Sequence, residues 1–161
     1  MPSRGKKKDP TVPLYMARWK LARLWLLFSG LIALVLIIQS TLGKYPGKAE
    51  NVWSWALPTI LPTLSVILTV LGANALEPDD KSVTVRQTFY SLAFWLSLAY
   101  LTLVLLTITL DPITPYESVE LMTLSNLWLG PFQGIVASAI AVLFFTKKKA
   151  SNSMTSAPQE R

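Results

Sequence analysis

This sequence predicts an all-α fold: a polytopic membrane protein whose four transmembrane helices form two antiparallel hairpins, the second and fourth helices kinked at proline. Three observations carry the prediction. Of 161 residues, 52% are apolar and only 15% charged, a balance that suits a chain solvated partly by lipid. Every charge lies outside four stretches, 24–43, 51–76, 87–110 and 121–146. These are 20, 26, 24 and 26 residues long, and a helix needs about 20 apolar residues to cross a hydrocarbon core of ~30 Å.

The chain divides accordingly. Residues 1–23 form a basic cytoplasmic arm with an interfacial helix. A four-helix transmembrane domain follows over 24–146, with spans at about 24–43, 52–76, 88–110 and 122–146. Residues 147–161 form a basic, then disordered, cytoplasmic tail. No remaining segment is long enough for a separate soluble catalytic domain. The first apolar run exceeds a usual signal-peptide core, and "IQSTLGKYPG" offers no small-x-small cleavage site, so that run is expected to be a retained span.

An even number of spans puts both termini on one side, and the basic residues say which. Thirteen fall on that side: Arg4, Lys6, Lys7, Lys8, Arg18, Lys20 and Arg23 in the arm, Lys81 and Arg86 in the second loop, and Lys147, Lys148, Lys149 and Arg161 in the tail. Only Lys44 and Lys48 fall on the other. Basic residues beside spans stay in the cytoplasm, so both termini are expected inside a plasma membrane, with a bacterial inner membrane as the best fit. The six tryptophans mostly sit near the expected interfaces. Lys6, Lys7, Lys8, Arg18, Lys20, Arg23, Lys147, Lys148 and Lys149 are expected to face lipid headgroups, anionic ones included. No aromatic-basic platform accompanies them, so nucleic acid is not expected as a partner.

Loop chemistry marks the helix starts. In the second loop, Glu77, Asp79 and Asp80 lack the spacing and bending glycine of a calcium loop, while Thr84 and Gln87 resemble a capping box opening the third helix. In the third loop, Thr114 suits a cap, Pro115 the first helical position and Glu117 the position that reaches back to the cap. A helix from residue 115 to 146 would span roughly 48 Å, so a bend is expected at "WLGPFQG", where Pro131 frees the Leu127 carbonyl beside Gly130.

The second span holds the oddest stretch, "WSWALPTILPTLS". Pro58 frees the carbonyl of Ser54 and Pro62 that of Pro58, and such acceptors facing lipid would cost several kcal/mol. They are therefore expected to turn toward neighbouring helices. Pro58, Pro62, Ser65, Thr69 and Gly72 fall on one helical stripe, as do Gly130, Gly134 and Ser138 beside Pro131. Both stripes are expected to be helix-packing faces, because small residues let backbones approach closely. "WALP" at 55–58 matches "WLGP" at 128–131, and paired proline-interrupted spans point to a binding site. A cavity in the outer half is accordingly expected, lined by Thr59, Thr63, Ser125, Asn126 and Gln133 with the freed Ser54 and Leu127 carbonyls.

Function is narrowed chiefly by what the residues exclude. The chain has no cysteine and no histidine, which removes disulfides, thiolate or histidine nucleophiles and the usual zinc and haem ligands. No Asp, Glu, Lys, Arg or His lies within a span, which disfavours ion-coupled transport, proton pumping and voltage sensing. Asp111, Glu117 and Glu120 share one short loop without a nucleophile-base pair. The expected function is a non-enzymatic integral membrane protein, with no cofactor, metal or catalytic residue. It assembles with itself or with a membrane or soluble partner subunit through the small-residue faces of the second and fourth helices. The alternative is an oligomeric pore, a passive conduit or a membrane-permeabilising effector for a neutral solute.

Overall fold

The structure, a computed structural model, describes residues 10–76, 83–110 and 115–145. The elements run β1 (Thr11–Pro13), α1 (Leu14–Thr41), α2 (Ala49–Leu76), β2 (Thr84–Arg86), α3 (Gln87–Leu110) and α4 (Ser118–Phe145). All four helices are long and apolar enough to cross a membrane. Lys6, Lys7, Lys8, Lys147, Lys148, Lys149 and Thr114 lie outside the described residues.

The helix boundaries differ from expectation in three places, each for a hydrogen-bonding reason. The residues of the expected interfacial helix are continuous with the first span, since α1 runs unbroken from Leu14 to Thr41. Thr84 does not cap α3: Thr84–Arg86 instead forms an antiparallel ribbon with Thr11–Pro13, pairing Val12 with Val85. The Gln87 N–H, which a capping side chain would have served, donates to the Pro10 carbonyl at 3.0 Å. Third, α4 starts at Ser118 rather than Pro115, with the Glu117 carbonyl accepting the Leu121 N–H at 2.9 Å. The Glu117 carboxylate forms an ion pair with Lys48 of the first loop.

α1 ends in a Schellman motif. Gly43 adopts φ +73°, the Lys44 N–H donates to the Gln39 carbonyl at 3.0 Å, and the Gly43 N–H to the Ser40 carbonyl at 3.2 Å. Only a residue at ease in the left-handed region closes the helix this way. Helix continues on both sides of the prolines: α2 contains Pro58 and Pro62, and α4 contains Pro131.

Packing centres on α4, which lies mainly against α2 and α3, while α1 lies mainly against α3. The core runs through the bundle from Leu21, Trp25 and Ile32 on α1 to Leu101 and Ile108 on α3 and Leu129, Ile140 and Leu143 on α4. Trp25 and Trp55 are buried there, so two of the six tryptophans are core residues rather than belt residues; Trp19, Trp95 and Trp128 are exposed. The outer surface is leucine and isoleucine, with Leu27 72% and Leu127 73% exposed. In water such a surface would be an aggregation liability; against acyl chains it costs nothing.

Candidate functional site

One residue touches all three other helices. Tyr100, fully buried on α3, stacks on Trp25 of α1 at 6.1 Å between ring centroids and meets Phe132 of α4 edge-on at 5.8 Å. Its hydroxyl donates to the Thr59 carbonyl of α2 at 2.8 Å. A phenol deep within a span must find an acceptor in the protein, because lipid tails supply none.

The same carbonyl receives a second cross-helix donor. Gln133 Nε2 of α4 donates to the carbonyls of Pro58 and Thr59, each at 3.1 Å. Pro62 has no N–H for the Pro58 carbonyl, and the amide fills that gap. The expectation that proline-freed acceptors turn to a neighbouring helix is met at Pro58. Ser54 and Leu127, which carry the other two freed carbonyls, lie on exposed helix surface.

A third link lies one turn earlier in α2. Trp55 Nε1 donates to Ser125 Oγ at 3.2 Å, and the Ser125 hydroxyl donates to the Met122 carbonyl at 2.6 Å. Thr59 Oγ1 bonds back to the Trp55 carbonyl at 2.7 Å. The structure thus brings Thr59, Ser125 and Gln133 together as a polar seam binding α2 to α4. Thr63 continues this buried face of α2, while Asn126 is exposed. Of the five residues expected to line a cavity, Thr59 and Ser125 pack the interior, while Thr63 and Gln133 also line a groove between α2 and α4.

The small-residue stripes face the other way. Pro58, Pro62, Ser65, Thr69 and Gly72 are exposed on α2, as are Gly130, Pro131, Gly134 and Ser138 on α4. A Cβ added at Gly72, Gly130 or Gly134 would meet none of the described residues within 4 Å, so within one chain these glycines do not serve a close backbone approach. The reason is steric competition: Trp55, Thr59, Ile60, Thr63 and Ile67 fill the inner face of α2, which turns the neighbouring stripe outward. Parts of the two stripes still converge. Pro58 and Pro62 face Gly130, Gly134 and Ala137 across a groove of about 420 Å³ floored by Thr63, Val66, Gln133 and Ile140.

No family model, curated protein or solved structure matches this chain. The site therefore rests on its own chemistry. It offers apolar walls, bare glycine backbone and a few uncharged polar atoms, and among the described residues no acid or base lines the groove. Such a surface recognises shape and single hydrogen bonds rather than charge.

Of the expected headgroup contacts, Lys20 and Arg23 are exposed, with Arg23 lying over the Trp19 ring at 5.4 Å. Arg18 is a correction. It is 3% exposed, and its Nε and Nη2 donate to the carbonyls of Leu143 and Phe144 at 3.1 and 2.8 Å. Those carbonyls lie in the last described turn of α4, and a buried guanidinium finds in them the acceptors it needs. The signal was present in the sequence: Arg18 falls on the periodic apolar stripe of α1, with Leu14, Leu21, Ala22 and Trp25. Tyr100 also carried a signal, as a hydroxyl placed mid-span and far from either interface.

Proposed function

We propose that this chain is a non-enzymatic, multi-pass plasma-membrane protein that assembles with itself or with a partner subunit through the outward small-residue faces of α2 and α4. In this reading the helices form two antiparallel hairpins with cytoplasmic termini in a bacterial inner membrane. α2 and α4 bend at their prolines, and Lys20 and Arg23 meet anionic headgroups. One observation carries it: Gly130 and Gly134 lie open beside Pro58 and Pro62 in a groove that the chain itself leaves unfilled. Helices associate in lipid by packing and hydrogen bonding rather than by hydrophobic burial, so bare small-residue surface is where a second helix gains most.

The test compares neighbours on α4. Gly134→Leu fills the groove, whereas Ile135→Leu conserves volume on an exposed position. Cross-linking in native membranes is expected to lose its higher-mass species with Gly134→Leu and keep them with Ile135→Leu. Equal behaviour of the two variants counts against the assembly face.

A second reading, a pore built from several copies, is favoured by the uncharged polar positions Ser65, Thr69 and Ser138 on the outward faces. It predicts dye release from liposomes that rises with protein density. Tight vesicles at high density remove it.

A further inference from the structure

The hydroxyls of these helices follow a habit, from which Ser29, Ser40, Thr63 and Ser97 depart as buried groups without a hydrogen-bond partner among the described residues; of these, Thr63 lines the α2/α4 groove. Thr41, Thr59, Thr107, Thr109, Thr123 and Ser138 each donate to the carbonyl four residues back, at 2.7 to 3.0 Å. For Thr63 that acceptor would be the Thr59 carbonyl, which already receives the Tyr100 hydroxyl and the Gln133 amide. With the helical Thr63 N–H counted as well, that carbonyl is crowded and has no room for the threonine hydroxyl. Thr63 Oγ1 is accordingly buried without a partner among the described residues, although its side chain is only 2% exposed and lies at the floor of the α2/α4 groove.

Depth limits what can satisfy it. Thr63 lies half-way along the 28 residues of α2, roughly 21 Å from its start, near the bilayer centre. Phospholipid acyl chains fill grooves at that depth but bring no acceptor, since their ester oxygens stay near the headgroups. An acceptor at the midplane arrives on another transmembrane helix.

The walls suggest whose. Beside the groove on α4 stands a ridge of exposed apolar side chains, Leu127 at 73%, Ile135 at 57% and Val142 at 55%. A two-fold interface needs a surface complementary to itself, with groove and ridge side by side on each copy. Two copies inserted alike are related by an axis along the membrane normal, which sets ridge against groove and groove against ridge.

We infer that the occupant of the α2/α4 groove is a second copy of this chain, whose α4 ridge enters beside Gly130 and Gly134 and brings a backbone or hydroxyl oxygen to Thr63. The inference rests on the assembly reading above and names its partner and its polar contact. Thr63 Oγ1 is itself closed off in the groove floor, so the contact requires a rotation about χ1, for which a helical threonine has two accessible wells.

The test is energy transfer between donor- and acceptor-labelled copies of the full chain in liposomes, titrated by protein-to-lipid ratio. Thr63→Val keeps the shape and removes the hydroxyl. It is expected to weaken dimerisation about 3- to 20-fold, while Thr63→Ser restores it and Gly134→Leu abolishes it. Melting of each variant in detergent, with wild-type values for Thr63→Val and Thr63→Ser, separates lost association from lost folding. Wild-type dimerisation by Thr63→Val overturns the hydroxyl contact but leaves the assembly face standing if Gly134→Leu still disrupts it. Absence of energy transfer at every density overturns the second copy as occupant, and cross-linked species that then persist in native membranes identify a different subunit.

Discussion

Single hydrogen bonds carry unusual weight in this bundle because the surrounding solvent offers no replacement. Tyr100 and Gln133 converge on two adjacent carbonyls of α2, and one of these lacks its helical donor because Pro62 follows. Gln133→Leu keeps most of the side-chain volume but strands the Pro58 carbonyl, at an expected cost of about 1–2 kcal/mol. Tyr100→Phe retains the stacking on Trp25 and the edge contact with Phe132 while removing one bond, for about 1 kcal/mol. Denaturation in mixed micelles measures both. Because the two donors share an acceptor, the double variant is expected to depart from additivity. Strictly additive losses would show that the Thr59 carbonyl does not couple them.

Each helix end illustrates how elements are closed. α1 stops by its own local chemistry, with Gly43 supplying the left-handed turn. The last described turn of α4 is held by tertiary means: its Leu143 and Phe144 carbonyls accept from Arg18, which lies 125 and 126 residues earlier in the chain. That contact also fastens the first helix to the last. Arg18→Ala is expected to lower stability by roughly 2–3 kcal/mol, since charged hydrogen bonds are lost and buried acceptors remain. Arg18→Lys is expected to recover only part, because a single ammonium lacks the planar fork that serves two carbonyls at once. Thermal unfolding in detergent distinguishes the three proteins, and a full recovery by lysine would mean that charge alone matters at this end of α4.

At the scale of the whole molecule, the four spans and the basic residues specify an orientation that labelling can read directly. The native chain has no cysteine, so single substitutions give clean reporters. Pro46→Cys and Tyr116→Cys are expected to react with a membrane-impermeant thiol reagent on intact cells. Thr11→Cys and Thr84→Cys, on the two strands of the β1–β2 ribbon, are expected to react only after permeabilisation. All four positions are exposed or close to exposed loops. Reaction of Thr11→Cys and Pro46→Cys from the same side would remove the orientation and the positive-inside argument with it.

The number and placement of the helices were legible in the sequence because they depend on local quantities: uncharged length measured against a bilayer's thickness, and glycine or proline at a boundary. The described helices fall on the four uncharged stretches, and the glycines of the first loop do turn the chain. Which face of each helix points inward was decided only by the tertiary structure. In water, an apolar stripe marks the inner face; in lipid, leucine is equally at home against protein and against acyl chains, so no such gradient exists. The prolines and glycines of α2 and α4 therefore read as an internal seam, yet they lie outward, while Trp55, Thr59 and Ser125 take the interior because their polar atoms need partners that hydrocarbon cannot provide.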